Sequence, residues 1–209
     1  MEPAKTGERN EGFIKVQDFP GALRSRSVYI ETYGCRYNFG DTAKLVEVLR
    51  HHDCTIVEDP DEAEAIIVNT CTVVGPTERR ILRRLAGFSD KELYVTGCLS
   101  QVQREAILAV CSPTIIPSES IHDLYRSVGT VAGGGVGIVQ LAQGCVGRCT
   151  YCITRLARGS LKSFAEEEIF SQVRAFVQAG TYEIQLTAQE VGAWGMHIGH
   201  TLPDHLRFL

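Results

Sequence analysis

The sequence predicts an α/β protein: an N-terminal unit built on a parallel sheet, followed by the start of a second strand-helix-strand series. Three observations carry this. Short, largely apolar runs recur at Ser27–Thr32, 65–69 and 93–96, and segments with helical apolar spacing separate them. The same alternation resumes beyond a glycine-rich stretch at 129–135. Strands that are apolar throughout and alternate with helices belong to parallel sheets covered on both faces.

Residues 1–26 are polar and unpatterned, ending in the turn signal Phe19-Pro20-Gly21, and read as a poorly ordered lead-in. The N-terminal domain, 27–128, opens with the strand SVYIET. A helix follows over 41–52, with Ala43, Leu45, Val46, Val48 and Leu49 on one face, then the strand AIIVN at 65–69. Pro76 marks the first turn of a second helix whose buried stripe is Ile81, Leu82 and Leu85. The strand LYVT at 93–96 and a helix over 101–110 complete the series. The segment 129–135 is too rich in glycine for a helix or central strand and reads as a linker. The second unit, 136–209, has a strand at 136–142, a helix over 165–178 closed by Ala179-Gly180, a strand at 183–187 and a helix start near Pro203.

At 209 residues, with 44% hydrophobic and 22% charged, the chain is long enough for a real core and excludes collagen-like or wholly disordered classes. A net charge of -4 gives no global attraction for nucleic acid, so any such contact must come from a local basic face. The start MEPAKTGERNEG lacks the features of a secretory or organellar signal. No apolar run approaches the ~20 residues a bilayer requires. The expectation is a cytoplasmic protein with no membrane role, where eight cysteines point to metal binding or catalysis instead of disulfides.

Cys145, Cys149 and Cys152 lie in GCVGRCTYC, directly after the strand at 136–142. Neither a helix face nor a strand face gathers that spacing, but a tight loop does. A structural zinc site normally takes four ligands in two close pairs, and no second CxxC pair is present. Three thiols suit a cubane iron-sulfur cluster with one iron left open, with an incomplete zinc site or plain packing as the alternatives. Cys35, Cys71 and Cys98 each follow a predicted strand. In a parallel sheet their thiols reach one carboxyl edge, the edge where such sheets place ligands, although cysteine is also a common small core residue. Cys54 and Cys111 follow no strand and read as structural.

The segments YIETYGCRYN, IIVNTCTVVGPTERR, VTGCLSQ, GCVGRCTYCITRLARG and LTAQEVGAWG resemble the successive signatures of the radical S-adenosylmethionine methylthiotransferases. The segments at 72–77 and 153–159 resemble the archaeal and eukaryotic branch, which modifies N6-threonylcarbamoyladenosine beside the tRNA anticodon. The resemblance implies that 136–209 begins a radical S-adenosylmethionine (β/α) barrel. A full barrel needs ~250 residues, so a truncated copy is expected, poorly stable and inactive alone.

By the same resemblance, Cys145, Cys149 and Cys152 would hold a 4Fe-4S cluster that binds and cleaves S-adenosylmethionine. The 5'-deoxyadenosyl radical would take hydrogen from C2 of the adenine, and a second S-adenosylmethionine would supply the methyl group. Cys35, Cys71 and Cys98 would hold an auxiliary 4Fe-4S cluster that carries the sulfur. Tyr151, Gln189, Glu190 and Arg158 are the candidate contacts to S-adenosylmethionine, with Arg155 beside them, each also readable as ordinary surface or core. Arg79, Arg80, Arg83 and Arg84 share the outer face of their helix and are candidates for RNA phosphate, against a simply solvated face. The implied partners are tRNA at its anticodon region and an electron-donor protein. The alternatives are an isopentenyladenosine or ribosomal-protein aspartate substrate, and a non-catalytic cysteine-rich metal-binding module. The six histidines show no metal-ligand spacing and read as ordinary residues.

Overall fold

A computed structural model describes residues 18–72, 75–129 and 135–206 of the chain. The first unit runs α1 (Phe19–Ala22), β1 (Ser27–Thr32), α2 (Arg36–His51), β2 (Thr55–Val57), β3 (Ala65–Thr70), α3 (Gly75–Ala86), β4 (Glu92–Gly97), α4 (Cys98–Val102), α5 (Arg104–Leu108), β5 (Thr114–Ile115) and α6 (Ser120–Val128). Its five strands pair in parallel in the order β2-β1-β3-β4-β5.

All six residues of β3 are buried, and the two-residue period of a strand divides them between two cores. Ala65 and Ile67 meet Leu45 and Leu49 of α2 and Ile121 of α6 on one face. Ile66 and Val68 meet Ile81 and Leu85 of α3 and Ile107 of α5 on the other. Each fully buried leucine or isoleucine contributes about 1.5–3 kcal/mol. Coverage of both faces is why the central strand reads as an uninterrupted apolar run.

Several elements differ from expectation. Phe19 and Leu23, placed by the sequence in a lead-in, are buried, and the Phe19 ring meets Tyr94 edge-on at 5.3 Å. Helix α2 starts at Arg36, a full turn before Asp41, with Cys35 at its N-cap. The single helix expected over 101–110 is two short helices, broken at Gln103 (φ -132°, ψ 40°) where the sequence carries neither Gly nor Pro. Strands β2 and β5 and helix α6 lie outside the elements the sequence predicts. Most of the expected lead-in, nearly all of the glycine-rich linker, and Val73 and Val74 lie outside the described residues.

The second unit contains β6 (Val136–Gln140), β7 (Ala142–Gln143), α7 (Thr154–Arg158), β8 (Lys162–Ser163), α8 (Glu166–Gln178), β9 (Glu183–Thr187) and α9 (Leu202–Leu206). Strands β6 and β9 pair in parallel with α8 between them in sequence, one strand-helix-strand step. The strand expected over 136–142 is divided: β6 ends at Gln140, and β7 pairs antiparallel with β8. Val139, Leu141, Phe164, Ile169 and Trp194 form the core of this unit. Among the described residues, no helix is long and apolar enough to cross a membrane.

Candidate active site

Cys35, Cys71 and Cys98 leave the carboxyl ends of β1, β3 and β4, on one rim of the parallel sheet. Glycines in left-handed backbone precede two of them, Gly34 at φ 113° and Gly97 at φ 91°. A Cβ on Gly34 would stand 3.0 Å from Cys71 Sγ, and one on Gly97 would stand 2.2 Å from the Thr70 carbonyl oxygen. Bare Cα atoms therefore let the strand ends crowd together. Asn38 ties them further: its Nδ2 donates to the carbonyls of Tyr33 (2.7 Å) and Thr70 (2.9 Å). Its Oδ1 lies 4.0 Å from Cys98 Sγ. Cys71 and Cys98 are buried, whereas Cys35 is exposed. Burial pushes the Cys98 thiol above its ordinary range, the Arg158 charge opposes that, and Cys71 and Cys35 are close enough to raise it further.

The second triplet sits on a loop whose base is the two-rung pairing of β7 with β8, Ala142 opposite Ser163 and Gln143 opposite Lys162. Gly144, at φ 78°, passes so close to Ser160 that a Cβ would lie 2.1 Å from its carbonyl oxygen. The Gly144 N–H donates to Gln189 Oε1 at 2.7 Å, and the Cys145 N–H donates to the Gly159 carbonyl at 3.2 Å. Cys145 Sγ accepts the Gly147 N–H at 3.2 Å and lies 3.3 Å from Glu190 Oε2. An open pocket of about 520 Å³ is lined by Cys145, Cys149 and Cys152 together with Arg148, Arg155 and Ser160. The Thr154 hydroxyl and N–H hold the Cys152 thiol below its ordinary range. Tyr151 is 90% exposed, beside the Cys149 side chain.

Among the described residues, no three Cys, His, Asp or Glu side chains stand close enough together to hold a metal ion as they are. The fit to iron-sulfur clusters lies in the donor chemistry and the backbone. Each triplet offers thiols, the preferred ligands of such clusters, on loops whose glycines bring the chain ends close to one another.

The sequence grouped Arg158 with the cofactor contacts, but the structure turns it the other way. Its guanidinium is buried, donating to Asp41 Oδ2 and Asn38 Oδ1 at 2.7 Å each and to Cys98 Sγ at 3.3 Å. The cause is packing: α7 lies against α4, so the last residue of α7 enters the first thiol site. Burial disfavours the Arg158 charge, yet Asp41 and Cys98 hold it firmly protonated.

A polar chain continues from there through residues the sequence reading passed over. Gln140 Nε2 donates to Asp41 Oδ1 at 2.7 Å, and Lys44 Nζ donates to Gln140 Oε1 at 2.5 Å. Lys44 also meets His122 Nδ1 at 2.8 Å, and His122 Nε2 lies 3.4 Å from Glu168 Oε2. Burial pushes the Lys44 ammonium down to about 8, with Asp41 and Glu168 opposing, and holds His122 far below its ordinary range. The available signal was the polar stripe Asn38, Asp41 and Lys44, spaced three apart beside the apolar face of α2.

Of the arginines on α3, Arg84 donates to Glu31 Oε2 at 2.8 Å and stacks on Phe88, and Arg80 lies over the Tyr33 ring. Arg79 and Arg83, like Arg80, are exposed.

Residues 27–115 match the family described as Uncharacterized protein family UPF0004. The "Probable threonylcarbamoyladenosine tRNA methylthiotransferase" of Pyrococcus horikoshii is 36% identical over 203 residues, covering 84% of this chain and 48% of that protein. The chain is thus similar to that methylthiotransferase over most of its own length. A second methylthiotransferase, the "Threonylcarbamoyladenosine tRNA methylthiotransferase" of Xenopus laevis, is 28% identical over 234 residues, covering 95% of this chain and 42% of that protein. The "tRNA-2-methylthio-N(6)-dimethylallyladenosine synthase" of Porphyromonas gingivalis is 28% identical over 208 residues, covering 82% of this chain and 45% of that protein. The chain spans about half the length of the curated methylthiotransferases it matches.

Proposed function

We propose that the chain carries the cluster-binding half of a cytoplasmic tRNA methylthiotransferase. The reaction converts N6-threonylcarbamoyladenosine at position 37, beside the anticodon, to its 2-methylthio derivative. It consumes two S-adenosylmethionine molecules and draws electrons from a donor protein. Residues 27–128 serve as the auxiliary-cluster domain, and 136–209 as the opening of a radical S-adenosylmethionine barrel.

The observation that carries this reading is the pair of thiol triplets, one on the sheet rim, where Arg158 donates to Cys98, and one on the pocket loop. When bound, a 4Fe-4S cluster with an open iron supplies one-electron cleavage of a sulfonium, the chemistry needed at an adenine carbon with no useful acidity. Cys145, Cys149 and Cys152 would hold that cluster, and Cys35, Cys71 and Cys98 the sulfur-carrying one. Gln189 fastens the loop through the Gly144 N–H, and Glu190 beside Cys145 offers a carboxylate to a cofactor ammonium. Arg148 and Arg155 line the pocket and give it positive charge for a cofactor carboxylate. Tyr151, open to solvent on the same loop, would cover an adenine ring. Arg79 and Arg83 form the local basic surface that an acidic chain needs to meet RNA phosphate.

Anaerobic reconstitution tests this. The reading requires about eight irons per chain and reductive cleavage of S-adenosylmethionine, since two cubane clusters each carry four. Zinc at one or two per chain with no cleavage would favour a metal-binding module instead. Mass spectrometry of tRNA nucleosides from a deletion strain then separates a threonylcarbamoyl substrate from an isopentenyl one.

A further inference from the structure

We propose that Arg158 is a positioning residue that fixes the Cys98 sulfur on the sheet rim, so that the first thiol site is completed by the segment following the second. Three nitrogens of one guanidinium reach three acceptors on two elements: Asp41 and Asn38 of α2, and Cys98 at the start of α4. The Tyr37 ring closes the remaining face, with the guanidinium carbon 4.9 Å from its centroid. A planar fork fills such a set, whereas a lysine ammonium has no equivalent of the fixed three-way geometry. A buried guanidinium is also expensive to leave without partners, which locks the arrangement once it forms.

Connectivity gives the interaction its meaning. Arg158 closes the five-residue helix that starts at Thr154, two residues after Cys152. A displacement of the pocket loop therefore reaches the Cys98 sulfur through one turn of helix and one side chain. The inference rests on the proposed function only where a cluster is concerned: a buried cation donating to a ligand sulfur favours the more negative, reduced state of that cluster.

The test uses the full chain in three forms: wild type, Arg158→Lys, and the double variant Arg158→Gln with Asp41→Asn, which leaves no unpaired carboxylate. In the iron-free chain, iodoacetamide alkylation of Cys98 is followed by mass spectrometry, with buried Cys54 and Cys111 as references for an intact fold. Alkylation of Cys98 is expected to rise at least about fivefold in Arg158→Lys, which keeps a cation beside the thiol, and by less in the double variant, which also loses the charge that favours the thiolate, while the references stay slow. An unchanged Cys98 rate in Arg158→Lys overturns the proposal. Should Cys54 become reactive in the double variant, its fold has been lost and Arg158→Lys, which keeps the charge, decides.

In the iron-loaded chain, redox titration read by electron paramagnetic resonance separates the two clusters. The double variant is expected to shift the auxiliary couple negative by about tenfold in its oxidised-to-reduced ratio, ~59 mV for one electron. Arg158→Lys is expected to restore most of that shift, and the loop cluster, read alone in a Cys71→Ala background, to stay in place. Equal shifts in both clusters, or none, count against Arg158. A wild-type chain that takes no iron on Cys35, Cys71 and Cys98 overturns the proposed function and the potential shift with it, and the alkylation rate still decides the positioning role.

Discussion

Lys44 Nζ donates to Gln140 Oε1 at 2.5 Å, so an ammonium buried in α2 finds its acceptor on β6 of the other unit. Gln140 passes the interaction on to Asp41, and Asp41 to Arg158. The two units thus share a buried polar seam, beside which His122 stacks on Phe164. Such a seam is demanding, because each buried member needs its partners in place.

That seam predicts a pH dependence. Unfolded, Lys44 keeps its proton up to its ordinary value of 10.5, but folded it does so only up to about 8. Between those values the unfolded state binds the extra proton, so the stability of wild type relative to Lys44→Met rises with pH, with a slope approaching about 1.4 kcal/mol per pH unit. Below about pH 7 the difference is flat, at its least favourable for wild type. Urea unfolding of both proteins from about pH 6 to 10 checks this, and a difference that falls with pH contradicts the assignment.

Gly97→Ala is expected to cost at least ~1–3 kcal/mol, because the added methyl meets both a left-handed backbone and the Thr70 carbonyl. Gly192→Ala, which meets nothing within 4 Å, provides the control and is expected to stay close to wild type. Denaturant midpoints of the two variants give the comparison.

Removing thiols in sets separates the two sites. Replacing Cys145, Cys149 and Cys152 by alanine is expected to leave about half of the reconstituted iron and to abolish cleavage of S-adenosylmethionine. Replacing Cys35, Cys71 and Cys98 is expected to leave the other half and to preserve cleavage. Replacing Cys54 and Cys111 is expected to leave the iron content unchanged, since Cys54 meets the Leu23 carbonyl and Cys111 the Ile107 carbonyl within the core.

The arginines of α3 divide by their partners. Arg79→Ala with Arg83→Ala is expected to weaken tRNA binding across sequences and to lower the slope of log affinity against log salt by roughly 0.7–0.9 for each phosphate no longer neutralised. Arg84→Ala, which breaks the pair with Glu31, is expected to cost ~0.2–1 kcal/mol of stability instead. Filter binding across a salt series, beside thermal melts, distinguishes the two effects.

Reading the sequence recovered what repeats at short range. The strands β1, β3 and β4 and the helix α3 announce themselves through apolar spacing, and β9 matches its expected limits of 183–187. Elements of two or three residues, such as β5 and β2, are too short to carry a period. The break at Gln103 is set by packing, because no residue there forbids a helix. Six cysteines could be placed from spacing and from the rule that parallel strands end on one edge. Arg158 could not: its partners Asp41 and Asn38 lie 117 and 120 positions away, and nothing local distinguishes a buried arginine from a solvated one.

Under the proposed function, the two-rung pairing of β7 with β8 would also bear on how iron is taken up. It ties together the ends of the cysteine loop, with the Cys145 N–H bonded to Gly159 just inside. The entropy lost in circularising that length of chain is then charged to folding, and incoming iron would meet a loop whose ends are already tied. A ligand ring of this kind would capture ions faster, and release them more slowly, than the same three thiols on a free peptide.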